Sequence, residues 1–228
     1  MQKKILLAII VICFLTLGYL FLFSAKGLTL WNRSVAHPHQ LNHQQLIEQH
    51  LHFDLQVSAG SIIMFGNSIT YEVNWNELFS RGDIINRGIP GDQIANIIRR
   101  AATHSSSDNT IVVMGGINDF LAGASPEVIF TEFQKLINTS IAPGKLIVLS
   151  TIHTHNNHVI NKRIETLNRK LQKLCTTQQI DFIDLNTKLA PNGNLKKDFT
   201  YDGIHLNITG YLIIKQLLDS HLPPIKKE

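Results

Sequence analysis

Three hydrophobic regimes follow one another along the chain. Ile5 to Phe23 is an apolar run without a charge, residues 28–59 are polar and interleave Gln, Asn and His, and from Ser61 onward short apolar runs alternate with longer amphipathic ones. The short runs lack polar alternation: Ile62, Met64 and their neighbours read I-I-M-F, the pattern of a parallel strand covered on both faces. Strands are predicted over Ser61–Phe65, Asp83–Asn86, Thr110–Met114, Lys145–Ser150 and Ile180–Leu185. Helices fit between them. Asp92–His104 opens on a capping Asp, and Ser125-Pro126 gives a cap followed by proline at the first helical position, leading through Ile137. His158–Gln178 carries Ile160, Ile164, Leu167, Leu171 and Leu174 as one stripe, and Asn207–Leu218 closes the domain. Strands alternating with helices are the signature of parallel β-α units, here with a five-stranded sheet.

The apolar start changes the picture of where this domain sits. As a helix, residues 5–23 would span roughly 28 Å, about the thickness of a bilayer's hydrocarbon core. Two readings remain. A cleaved signal peptide has a shorter apolar region ending in small residues spaced A-x-A, whereas Phe23 stands two before Ala25, which favours an uncleaved transmembrane anchor. Lys3 and Lys4 nearly balance Lys26 and Arg33, and the short amino-terminal tail puts the body on the outer, extracytoplasmic side; a cleaved helix would make it secreted. Bulky Ile12 before Cys13 does not fit a lipoprotein acylation site, and Cys175 stands alone in the body, within a helix, as a packing residue. The chain thus divides into an anchor over 1–27, a His/Gln-rich linker with a short helix near Leu46–Leu55 over 28–59, one globular domain over 60–222, and a tail over 223–228.

Charge adds an exclusion. Lys3, Lys4 and Lys26 supply three of the net +4, so the body has no basic excess of the kind a nucleic-acid footprint needs. The linker histidines His37, His39, His43, His50 and His52 match no standard metal cage in spacing, and read better as a solvated spacer.

Candidate chemistry clusters where predicted strands end. Gly66-Asn67 breaks the first strand, so Ser68 emerges at the carboxyl edge of the sheet, where open α/β folds place ligands. Serine chemistry needs a base, an acid to orient it and donors for an oxyanion. Asp202 and His205 form D-x-x-H before the last helix, close enough for one turn to present both, with Gly203 relieving the bend. Gly115-Gly116-Ile117-Asn118-Asp119 follows the third strand, which lies beside the first if the sheet order is 2-1-3-4-5; the Asn118 side-chain NH₂ is a neutral donor. Asn86-Arg87-Gly88 follows the second strand, where Gly88 lets a backbone N–H approach a ligand. Taken singly, each has a plainer reading as a cap or a turn.

Together, G-N-S-I-T, N-R-G-I-P-G-D, G-G-I-N-D and D-G-I-H resemble the four blocks of the SGNH, or GDSL-type, hydrolase family, nearest to the small esterases similar to platelet-activating-factor acetylhydrolase subunits. The resemblance covers roughly residues 60–220 and implies a three-layer α/β/α flavodoxin-like fold without metal or cofactor. It implies Ser68 as nucleophile, His205 as base, Asp202 as its orienting partner, and an oxyanion hole from Gly88, Asn118 and the Ser68 N–H. The family usually has Asp where this chain has Asn67, which changes local hydrogen bonding rather than the chemistry. The absence of G-x-S-x-G sets the chain apart from the α/β-hydrolases. The function expected is a serine esterase acting on a small-molecule ester, a lipid or an acylated glycan. An O-acyltransferase with the same residues and a non-catalytic binding protein are the alternatives. Asn67, His153 and Phe120 are candidate pocket residues, and His155 and His158 follow His153 at the same edge. Trp75, Phe79 and Leu121 fit either an acyl pocket or the core. Substrate choice should lie in segments 71–82 and 153–160.

Overall fold

The computed structural model describes residues 41–104, 108–138 and 145–225. The predicted membrane helix lies outside the described residues, and among the described residues no helix is long and apolar enough to cross a membrane. The described chain runs α1 (His43–Asp54), β1 (Ile62–Gly66), α2 (Ser68–Tyr71), α3 (Trp75–Phe79), β2 (Ile84–Gly88), α4 (Ile94–Ala102), β3 (Thr110–Val113), α5 (Ile117–Leu121), α6 (Pro126–Ile137), β4 (Leu146–Leu149), α7 (His158–Thr177), β5 (Asp181–Ile183), α8 (Asn186–Leu189) and α9 (Ile208–Leu218). The five strands form one parallel sheet of order β2-β1-β3-β4-β5.

The continuous apolar runs are explained by burial on both faces. Along β1, Ile62 and Met64 pack into one core with Ile84, Trp75 and, from α9, Tyr211 and Ile214. Ile63 and Phe65 pack into the other with Ile97 of α4, Phe133 of α6 and Leu167 of α7. Each strand therefore divides its side chains by the period of two between a core on either side. That is the three-layer arrangement. Cys175 of α7 is fully buried in the second core, and burial pushes its thiol up to about 12, so it packs rather than reacts.

Several helices are capped by the residue that precedes them, with an exception that bears on the site. Ser125 Oγ accepts from Val128 N ahead of Pro126, Asn157 Oδ1 caps α7 at Ile160 N, and Asn207 Oδ1 caps α9 at Gly210 N. The exception is α4. It begins at Ile94 rather than Asp92, and its first N–H donates to Asp119 Oδ2 at 3.0 Å, so the cap comes from a different strand end. Asp92 instead pairs with Arg100, Oδ2 to Nη2 at 2.6 Å, while Arg100 Nη1 donates to the Arg87 carbonyl at 2.7 Å. A buried carboxylate with a guanidinium in reach forms an ion pair in preference to a cap.

Two further charges hold α1 to this cluster. Asp54 accepts from Arg87 Nε at 2.7 Å and lies 3.3 Å from His104 Nε2. His50 of α1 is buried beside them, and its Nδ1 has no hydrogen-bond partner among the described residues. Desolvation, then the charges of Arg87 and Arg100, hold its pKa down at about 4. The second strand makes a tight contact of its own. A methyl at Gly88 would lie 2.3 Å from Tyr71 N and 2.7 Å from Tyr71 Cα, so glycine is required there by the backbone at the end of α2.

Both features are testable. The folded state refuses a proton at His50 that the unfolded chain accepts below about pH 6.5. Stability should therefore fall as pH drops from about 6.5 to about 4, by on the order of 3 kcal/mol from this group. Urea titrations across that range should show a shallower loss in His50→Leu, and identical slopes would exclude the effect. Gly88→Ala forces backbone apart and should cost about 1–3 kcal/mol, read as a lowered urea midpoint with unchanged m.

Candidate active site

Ser68 is the first residue of α2, immediately after β1 ends at Gly66. Asn67 caps that helix, its Oδ1 accepting from Ile69 N at 3.1 Å, so the amide in place of the family's usual acid still fixes the turn. As the first helical residue, Ser68 has an N–H with no intrahelical acceptor. Asn86 braces the same turn from the next strand. Its Nδ2 donates to the carbonyls of Thr70, Tyr71 and Val73 at 2.9–3.2 Å, and its Oδ1 accepts from Gly88 N at 2.8 Å.

The partner arrives from 137 residues away. His205 Nε2 lies 3.0 Å from Ser68 Oγ, and His205 Nδ1 lies 2.7 Å from Asp202 Oδ2. The other oxygen of Asp202 accepts from the N–H groups of Ile204 and His205, at 2.9 and 2.8 Å. Burial works against ionisation of Asp202, but these hydrogen bonds, the one from the His205 ring foremost, outweigh it and hold the carboxyl at about 2. An ionised Asp202 accepts the proton on Nδ1, which leaves Nε2 with a lone pair facing the serine hydroxyl.

The turn that carries this pair is itself braced. Gly203 sits at φ +96°, its N–H donates to Thr200 Oγ1, and the Thr200 hydroxyl donates to the His205 carbonyl at 2.6 Å. His155 N donates to the Gly203 carbonyl at 2.8 Å, which ties the turn to the segment after β4. That segment is irregular, and three buried asparagine side chains satisfy its backbone: Asn168 bridges Thr151 N and O, Asn161 bridges Thr154 N and O, and Asn186 takes His153 N. Asn161 and Asn168 interrupt the apolar stripe of α7, and that interruption is the sequence signal that finds them.

The remaining predicted residues divide. Asn118, at the start of α5 beyond the carboxyl end of β3, donates from Nδ2 to the Asp92 carbonyl at 2.9 Å, leaving its second amide hydrogen uncommitted by that bond. Gly88 N is engaged by Asn86. Phe120, Trp75 and Phe79 are core residues, whereas Leu121 and His158 are exposed. His153 is buried with Asn168, Asp184 and Asn186 lining the same small cavity beside β5, and neither ring nitrogen has a hydrogen-bond partner among the described residues. Phe120 is thus taken up by the core, and His153 by that cavity. A cleft of about 450 Å³ has Glu72, Val73, Glu77, Leu78, Tyr201 and Leu212 among its lining. Glu72 Oε1 is 3.8 Å from His205 Nε2. The 71–82 segment named from the sequence supplies much of this wall; Tyr201, Ile208 and Leu212 come from the far end of the chain.

Comparison with known proteins fits this geometry. A Streptococcus pneumoniae protein named for platelet activating factor superposes with a TM-score of 0.71 at 22% identity, over 88% of this chain and 100% of that one. A GDSL-like lipase of Bacteroides thetaiotaomicron matches with a TM-score of 0.67 at 17% identity, over 77% and 96%. An acetyl-xylooligosaccharide esterase of Geobacillus matches with a TM-score of 0.58 at 14% identity, over 75% and 99%. At such identities the likeness is one of fold. Among curated sequences, N-acylneuraminate cytidylyltransferases of Streptococcus agalactiae are 37–39% identical over 93 residues. That stretch is 40% of this chain, and it spans only 22% of those proteins' length. The GDSL-like Lipase/Acylhydrolase family matches over residues 64–213, from the first strand through the last helix and so across every block that carries the site. The chain belongs to the GDSL-like lipase/acylhydrolase family.

Proposed function

We propose that this protein is a serine esterase that cleaves carboxylic esters through an acyl-enzyme, with Ser68 as nucleophile, His205 as general base and Asp202 as its orienting partner. The observation that carries the reading is the unbroken hydrogen-bonded line from Asp202 through His205 to Ser68. Family membership supports ester hydrolysis as the reaction class.

In the first half-reaction His205 Nε2 takes the hydroxyl proton as Ser68 Oγ attacks the ester carbonyl carbon. The imidazolium, paired with ionised Asp202, then returns that proton to the departing alkoxide. Water repeats the sequence on the acyl-serine and releases the acid. The oxyanion is met by the Ser68 N–H at the helix start and by the uncommitted Asn118 amide hydrogen. Gly88 joins them when its N–H exchanges Asn86 Oδ1 for the oxyanion. Residues 5–23 complete the proposal as a membrane anchor, on the strength of their uncharged length. Retention of the full chain in the pellet after alkaline carbonate extraction is the expected outcome, and release into the supernatant would remove the anchor.

Ser68→Ala should abolish hydrolysis of a short-chain nitrophenyl ester and labelling by a fluorophosphonate probe; turnover equal to wild type would refute the nucleophile. Asp202→Asn should lower kcat by about 10²- to 10⁴-fold, and Asn118→Ala by about 10²- to 10³-fold, with KM little changed. Because Asp202 titrates at about 2, the fall of kcat/KM on acidification should come from a group other than this carboxylate.

A further inference from the structure

Three successive N–H groups of the turn that carries His205 are all received by side chains of the same turn. Gly203 N donates to Thr200 Oγ1 at 2.9 Å, while Ile204 N and His205 N donate to Asp202 Oδ1 at 2.9 and 2.8 Å. This division leaves the other carboxylate oxygen free for the ring: Asp202 Oδ2 lies 2.7 Å from His205 Nδ1. Thr200 also closes the turn through its hydrogen. The hydroxyl donates to the His205 carbonyl at 2.6 Å, an oxygen that accepts from Tyr201 N at 3.1 Å as well, and an antiparallel bridge pairs Thr200 with Leu206.

Without the Thr200 oxygen, the Gly203 N–H loses its acceptor beside a carboxylate that already serves two amides and a ring. A donor left without a partner competes for an adjacent anionic acceptor, and here that acceptor is Asp202. A carboxylate drawn toward a third amide turns its second oxygen away from Nδ1. The ring then loses the bond that fixes its tautomer, the one that leaves Nε2 bare toward Ser68 Oγ at 3.0 Å. The Gly203 peptide is held in place on its other side, where its carbonyl accepts from His155 N at 2.8 Å. We propose that Thr200 is a positioning residue for the general base: by taking the Gly203 N–H it reserves Asp202 Oδ2 for the His205 ring. The role in catalysis rests on the esterase reading, whereas the hold on the ring rests on the turn alone.

The test compares Thr200→Val, which keeps the side-chain shape and excludes water from the place of the hydroxyl, with Thr200→Ser, which keeps the hydroxyl. Thr200→Val should lower kcat on a short-chain nitrophenyl ester by about 10- to 10²-fold with KM little changed, and Thr200→Ser should stay within about threefold of wild type. Because Thr200 acts through Asp202, the same Val substitution added to Asp202→Asn should cost less than about threefold more. Wild-type kcat in Thr200→Val, or an equal loss in both backgrounds, would overturn the assignment. Should Thr200→Val not fold, Thr200→Ala makes the same comparison with a loss of about three- to tenfold, since water can then stand in for the oxygen. Unfolding of both beside a folded Thr200→Ser would make the hydroxyl a structural clamp and overturn the positioning role. A wild type that turns over no ester, and whose Ser68 resists the fluorophosphonate, would instead sink the esterase reading. The ring ¹⁵N shifts of His205 in the full chain then decide Thr200. The Nδ1–H tautomer in wild type and Thr200→Ser, giving way to a mixture in Thr200→Val, supports the hold on the ring; a mixture already in wild type, or unchanged shifts in Thr200→Val, overturns it.

Discussion

A parallel sheet forms its ladder only in register, and here that register sets the carboxyl ends of β1 and β2 level, Gly66 opposite Gly88 and Phe65 opposite Arg87. The serine side of the candidate site follows from this alignment. The chain leaves β1 into the turn that carries Ser68, and the end of β2 is pressed so closely against that turn that a single methyl group at Gly88 does not fit. Asn86 then stitches the two together through side-chain hydrogen bonds to three carbonyls and one N–H. The nucleophile candidate is held by packed backbone and needs no flexible loop to position it.

Behind this edge lies a cluster of buried charge. Arg100 joins Asp92 to the Arg87 carbonyl, Arg87 joins Asp54, and Asp92 offers its own carbonyl to Asn118. Such pairs add little net stability over apolar packing, but they fix direction, because each partner must meet the other's lone pairs. Asp119 works in the same way by capping α4 from the end of β3. Both acids of the Asp92 and Asp119 blocks thus hold the loops at the carboxyl edge in place, and neither is spent on the helix it precedes in sequence.

The architecture was largely legible. Apolar runs of strand length, broken by Gly and Asn and separated by amphipathic segments, have few other solutions, and five strands with the order 2-1-3-4-5 agree with the sheet observed. Boundaries moved by a residue or two where ladder pairing, rather than hydrophobicity, ends a strand: β2 runs on to Gly88 because its partner continues to Gly66. Ser68, His205 and Asp202 stand out in the sequence because their blocks sit next to strand and helix ends and pair chemically distinct residue types. Two pocket candidates of another kind were placed by tertiary packing. Phe120 and His153 lie near the right edge in sequence, but whether a side chain near a strand end turns toward the core or toward solvent depends on neighbours from other elements.

Local pattern by itself determined the strands, the helices, the sheet class and the residue types available for chemistry, since propensity, hydrophobic period and capping act over a few residues. Tertiary structure alone decided that Asn86 braces the serine turn, that Asp119 rather than Asp92 caps α4, and that Glu72 and Tyr201 line one cleft. Those outcomes depend on distances between groups as far apart as Ser68 and His205, 137 residues along the chain, and such distances are set by how the layers pack.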